Sequence, residues 1–189
     1  MTVHDHDSGS AANKPPPDRL PLDAICGEFD IRIDRTGQWH YHGSPIGRIE
    51  LVKLFSTVLQ RDEKGDFYLI TPVEKGRIQV DDAPFMAIVM TVEGAGESQK
   101  LHFETNVGDT LVAGPEHPIR VITDRQTGEP SPYVRVRGGE KLPLEAKINR
   151  PVFYDLVELA VEHETSGGRS LGVWSDGHFF TIGTYEANT

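Results

Sequence analysis

The chain has one cysteine, Cys26, so it can form no intrachain disulfide and has no disulfide framework to read. Cys26 follows Leu22-Asp23-Ala24-Ile25, and its apolar neighbours point to a small buried hydrophobe rather than a reactive thiol. Apolar runs of about 18 residues are also missing, and with them any expected membrane span. The first residues, Met1-Thr2-Val3-His4-Asp5-His6-Asp7, lack the basic-then-apolar pattern of a signal peptide. A soluble, cytoplasmic protein is the expectation. Positive charge is scarce as well. Nineteen Lys and Arg face 29 Asp and Glu, a net charge of −10. That balance argues against a nucleic-acid polymer as partner, which needs a basic face. It leaves room for a small anion held by a few converging arginines. Complete catalytic motifs are lacking too: there is no nucleophile elbow, P-loop, dinucleotide fingerprint, zinc-type cysteine pair or His-Glu-Xaa-Xaa-His. No catalytic residue, metal ligand or cofactor is assigned on this basis.

What the chain does have is an internal repeat. Ile31-Arg32-Ile33, Trp39-His40-Tyr41, Leu51-Val52-Lys53-Leu54 and Gly65 to Glu74 follow one another as strand, strand, helix, strand. Val134-Arg135-Val136, Leu142-Pro143-Leu144, Leu156-Val157-Glu158-Leu159 and Gly177 to Glu186 repeat that order. Two similar lobes with a seam follow, and seams between lobes are favoured ligand sites. Hydrophobic residues make up 37%, beside 19 glycines and 13 prolines, a composition of short strands and many turns.

Residues 1–17 are small, polar and proline-rich, and read as a disordered tail in which His4 and His6 are solvated. An N-terminal α+β lobe is expected over 18–80 and a β-rich lobe with one main helix over 81–189. Leu20 to Ile25 suits one helical turn. Phe29, Ile31 and Ile33 alternate with polar residues as a half-buried strand does. From Arg48 to Gln60 the set Leu51, Leu54, Phe55, Val58 and Leu59 makes one apolar stripe on a helix. The middle reads as short antiparallel strands: 77–80, 85–92, 100–104, 110–112, 119–123 and 133–137. A second helix starts near Pro151, with Phe153, Leu156, Val157, Ala160 and Val161 as its apolar residues. Strands 171–174 and 178–182 pair across Ser175-Asp176-Gly177, where Asp-Gly favours a tight hairpin. The fold class is α+β: two tandem strand-strand-helix-strand lobes of mostly antiparallel sheet, the second like a pleckstrin-homology roll with a hairpin after its helix.

The densest functional candidate is Trp39-His40-Tyr41-His42-Gly43-Ser44-Pro45-Ile46-Gly47-Arg48. Trp39 and Tyr41 either stack a ligand ring or fill the core. Ser44 either bonds a ligand or caps the following helix. Arg48, at a helix start, suits a phosphate or carboxylate. Arg135 and Arg137 share one strand face opposite Val134 and Val136. They either reach the seam, where Arg32 is the repeat partner of Arg135, or lie on a solvated face. Asp81-Asp82 either acts as a carboxylate pair or makes a turn. Gly108 to Pro118 is similar to a cupin motif, so His40, His42 and His117 define an alternative: a metal-dependent enzyme of cupin type. A protein-interaction module is a third reading.

The chain resembles an uncharacterised, largely proteobacterial family of unknown function. The residues that carry the resemblance are Trp39 to Ile46, Thr71-Pro72-Val73-Glu74, Val80 to Phe85, Thr105 to Asp109, Gly114 to Pro118 and Pro132 to Arg137. The resemblance implies a duplicated core, a pleckstrin-homology-like second half, a ligand site where the halves meet and a role in signalling. The expected function is a non-catalytic regulatory module binding a small anionic or nucleotide-like ligand between its lobes, through Trp39, Tyr41, His42, Ser44, Arg48, Arg135 and Arg137.

Overall fold

The computed structural model describes residues 27–165 and 168–184. The tail, the turn expected at Leu20–Ile25, Cys26, and the last residues of the second repeat lie outside them.

The first lobe begins with β1 (Gly27–Ile33), whose buried Ile31 and Ile33 alternate with exposed Arg32. A turn returns the chain as β2 (Trp39–Tyr41), antiparallel to β1 with Ile31 opposite Tyr41 and Ile33 opposite Trp39. Asp34 builds that turn. Its Oδ1 accepts from Thr36 N, Thr36 Oγ1 and Gln38 N, and its Oδ2 meets His40 Nε2 at 2.9 Å. Burial pushes the Asp34 carboxyl up, but bonds from Thr36, His40 and Gln38 outweigh it and hold the group well below the usual carboxylate range. The chain turns again at His42-Gly43 into β3 (Ser44–Pro45), then enters α1 (Ile49–Thr57). β4 (Leu59–Arg61), β5 (Phe67–Ile70) and β6 (Lys75–Val80) form a meander, and β6 returns parallel to β1. The sheet order is β3-β2-β1-β6-β5-β4.

The second lobe contributes β7 (Phe85–Glu93), β8 (Lys100–Thr105), β9 (Thr110–Val112), β10 (Ile119–Thr123), β11 (Pro130–Arg137) and β12 (Leu144–Ile148), ordered β10-β11-β12-β7-β8-β9. Here β12 lies parallel to β7. α2 (Arg150–Glu158) follows, with Asn149 accepting from Val152 N at 3.0 Å as its cap. β13 (Val161–Thr165), β14 (Gly168–Ser175) and β15 (His178–Thr184) make a third sheet. The repeat is present in three dimensions: hairpin β1-β2, helix α1 and meander β4-β5-β6 match hairpin β11-β12, helix α2 and meander β13-β14-β15. In the second lobe, six strands precede the helix and three follow it.

One core joins the lobes, running from Ile33 and Trp39 through Phe85, Phe103 and Val134 to Val173 and Phe180. Polar clamps bridge its parts. Asn106 on the β8–β9 turn accepts from Met86 N and donates to the Gly37 carbonyl, both at 3.0 Å. Ser175, fully buried, donates to the Ala113 carbonyl at 2.7 Å and accepts from Leu101 N at 3.0 Å. Its polar atoms are thus satisfied, which a buried hydroxyl requires.

Three sequence expectations need correction. Helix α1 ends at Thr57 with Val58 as its C-cap, and Leu59 begins β4 instead. Its inward residues are Val52 and Ser56, while Leu54 is 60% exposed. In α2 the inward pair is Val152 and Leu156, and Val157 and the following Val161 are exposed.

A candidate ligand cavity in the first lobe

Between α1 and the sheet of the first lobe lies a cavity of about 760 Å³. Ile31 and Leu69 of the sheet and Leu51, Phe55 and Val58 of the helix segment supply its apolar walls. The helix stripe read as core is therefore mostly cavity wall. Phe29 joins them from β1. Its ring lies on the bare backbone of Gly76, where an added Cβ would stand 2.3 Å from the ring carbons, so only glycine admits this packing.

Tyr41, His42, Ser44 and Arg48 line the polar side. A two-residue hairpin places the first three. His42 at φ 47 and Gly43 at φ 74 both take left-handed backbone, as a turn of type I′ requires, and Ser44 pairs with Tyr41. His42 Nδ1 meets Asp30 Oδ2 at 2.7 Å across the lobe edge, and the His42 and Tyr41 rings are 4.1 Å apart. Tyr41 is 52% exposed at the mouth. Arg48 is the N-cap residue of α1 and makes no side-chain cap bond. Its carbonyl accepts from Leu51 N and Val52 N, and among the described residues its guanidinium pairs with no carboxylate. The first N–H groups of α1 lack helical partners beside it. Ser44 is not the helix cap; it belongs to β3. Glu28, Asp30 and Glu74 complete the rim, so Arg48 and the His42–Asp30 pair stand in a partly acidic surround.

The structure thus brings together four of the seven predicted site residues, inside one lobe rather than between two. The other three are elsewhere. Trp39 is 1% exposed, in the core, and stacks on Phe55 with centroids 6.3 Å apart, directly behind the cavity wall. Arg135 and Arg137 belong to β11 of the second lobe. The Arg135 carbonyl accepts from the His117 ring at 2.9 Å, while its Nε is buried without a bond. Arg137 Nη2 donates to the Ser56 carbonyl at the end of α1, and its guanidinium sits 5.2 Å over the Phe85 ring. Arg32 does not join Arg135 at a seam; it holds Asp81 through two bonds of 2.9 and 2.5 Å. Asp82 is held by Lys147 and Tyr133. The cupin arrangement is not assembled. His40 pairs with Asp34, His42 with Asp30 and His117 with a carbonyl. Among the described residues no three His, Cys, Asp or Glu side chains gather as metal ligands.

The reading from sequence missed the apolar walls and the acidic rim. Thr71 and Glu74, the ends of the Thr71-Pro72-Val73-Glu74 motif, both line the cavity. The stripe Leu51, Phe55 and Val58 carried the signal, but a periodic stripe looks the same whether it faces a core or a cavity.

No helix among the described residues is long and apolar enough to cross a membrane. No curated protein matches the chain. Two solved structures do. One, a DUF1285 family protein from Silicibacter pomeroyi DSS-3, is 49% identical with a TM-score of 0.75, covering 84% of this chain and 81% of its own. The other, a DUF1285 family protein from Shewanella baltica OS155, is 27% identical with a TM-score of 0.51, covering 69% of this chain and 91% of its own. Residues 16–83 match the family model for the DUF1285 N-terminal domain, a domain of unknown function, and residues 84–182 match that for the C-terminal domain. With both domains matched in order, the chain belongs to the DUF1285 family.

Proposed function

We propose that this protein is a non-catalytic, cytoplasmic regulatory module, and that the first-lobe cavity is its ligand site. The observation that carries the reading is the cavity's division. Leu51, Phe55, Val58 and Leu69 form an apolar interior, and Tyr41, His42, Ser44 and Arg48 gather at one side. A volume of about 760 Å³ is of the size that holds small-molecule ligands, and such sites combine apolar walls with few polar groups. The ligand class is an amphipathic small molecule with an anionic or nucleotide-like head. Its apolar or ring portion would enter between α1 and β1, with Tyr41 at the mouth. Its anionic group would meet Arg48 and the free N–H groups at the start of α1. Glu28, Asp30 and Glu74 on the same rim disfavour a ligand with several negative charges, so the head group carries few.

A thermal-shift screen with nucleotides and amphipathic anions identifies the ligand, since whatever binds the native state alone raises its Tm. Arg48→Ala then weakens that ligand about ten- to a hundredfold, the loss expected for bonds to a charged group of about 1.5–3 kcal/mol. Unchanged affinity in a calorimetric titration would remove the anion assignment.

A further inference from the structure

A second, smaller cavity of about 190 Å³ lies at the junction of the lobes. Arg61 and Phe67 reach it from the first lobe, Asp82 from the connection, and Arg120, Tyr133 and Glu145 from the second. The charges there are almost, but not fully, matched. Arg120 holds Glu145 by two bonds of 2.6 Å. Lys147 donates to Asp82 at 2.6 Å and the Tyr133 hydroxyl donates to it at 2.8 Å. Both carboxylates are thereby satisfied.

Arg61 is left over. Its guanidinium stands 5.4 Å from the centre of the Phe67 ring. Nη1 reaches only the Pro143 carbonyl, at a long 3.4 Å. Nε is buried and has no hydrogen-bond partner. Among the described residues no carboxylate pairs with it. With Lys147, which holds Asp82 from outside the cavity lining, the cluster counts three cations against two carboxylates, inside a chain whose net charge is −10. A planar guanidinium carries several donors that match the oxygens of a carboxylate or phosphate, and a buried donor left unpaired costs free energy.

The geometry points to an oxyanion-binding site at the lobe junction, with Arg61 as its principal donor and its guanidinium over the Phe67 ring. The space equals that of roughly six waters at about 30 Å³ each. It therefore admits one phosphate- or carboxylate-sized group with a few waters, and excludes a nucleotide. The site is separate from the first-lobe cavity, with which it shares no lining residue. Because it touches both lobes, its occupant bridges them.

Inorganic phosphate is the probe. It is titrated calorimetrically into the full chain at constant ionic strength held with chloride. The wild type binds it saturably. Arg61→Met weakens it at least tenfold, and Arg61→Lys, which keeps the charge and loses the fork, falls between. Arg169→Ala, at an exposed cation on β14 outside both cavities, leaves phosphate affinity unchanged. Absence of saturable binding, or wild-type affinity in Arg61→Met, overturns the proposal. So does loss in Arg48→Ala with Arg61→Met unaffected, which would place phosphate in the first-lobe cavity. If Arg61→Met does not fold, Arg61→Lys decides: wild-type affinity there overturns the fork assignment. A failure here leaves the first-lobe reading standing, since that reading is tested by Arg48.

Discussion

Tyr133 is 8% exposed on β11, with its hydroxyl on Asp82 and the guanidinium of Arg120 4.7 Å over its ring. Burial, then the bond to Asp82, pushes its hydroxyl up to about 12 from an ordinary value of 10.0. The folded state thus prefers the neutral phenol. A group with a raised folded pKa contributes stability that is complete below the unfolded pKa and is lost above it. Stability carried by Tyr133 is therefore full below pH 10 and fades as pH rises from about 10 to about 12. An alkaline absorbance titration tests this: one tyrosine ionises near 12, and Tyr133→Phe removes that step. A step that survives the substitution would contradict the assignment. None of this was visible in the sequence, where Asp81-Asp82 reads as a turn or a carboxylate pair and nothing links it to residue 133. The partners Arg32, Tyr133 and Lys147 come from strands far along the chain. Likewise Trp39 and Tyr41, two apart in one strand, share a face, yet one is core and the other cavity mouth, because β2 leaves the core between them.

At the level of elements, the strand pattern was legible and the ends of elements were not. β9 and β10 fall where alternation and turn residues place them. β4 was hidden because Leu59 continues the helical stripe, and only pairing with β5 turns it into sheet. β12 was reduced to Leu142-Pro143-Leu144, since its alternating Leu144, Ala146 and Ile148 include a small residue that adds little apolar signal. The two helices differ at one inner position. One turn after the buried Val152, α2 places the fully buried Leu156; one turn after Val52, α1 places Ser56. The Ser56 hydroxyl donates to the Lys53 carbonyl, and its own carbonyl accepts from Arg137. A cation from the second lobe thus closes the C-terminus of α1, where helical carbonyls lack partners and positive charge is favoured. Burial lowers the Arg137 pKa, yet arginine remains charged. Arg137→Met is expected to cost about 2 kcal/mol and to lower Tm by roughly 4–8 °C, read by thermal unfolding. An unchanged Tm would mean that α1 does not depend on this contact.

Across the whole molecule, the two copies of the repeat share scaffold and differ in chemistry. Both carry a hairpin, a helix and a three-strand meander, and in each six-stranded sheet one parallel pair brings early and late strands together, β1 with β6 and β7 with β12. The sequence repeat foretold the common plan. It placed the ligand at the seam, because a duplicated fold reads as two walls with a gap. Instead a single core fills most of that junction, leaving the small Arg61 cavity, and the larger opening lies under α1 of the first copy. Of the two arginines expected to hold ligand, Arg137 reaches across to the end of α1, while the Arg135 carbonyl holds His117 within the second lobe. The central claim is that a ligand occupies the space between α1 and β1. The direct measurement is the affinity of the ligand recovered by thermal shift for the wild type and for Leu51→Trp, whose larger side chain fills the cavity from α1. Leu51→Trp is expected to lose at least about tenfold in affinity, or 1.4 kcal/mol, with the ligand-free protein still folded. Equal affinity in the two proteins would contradict it.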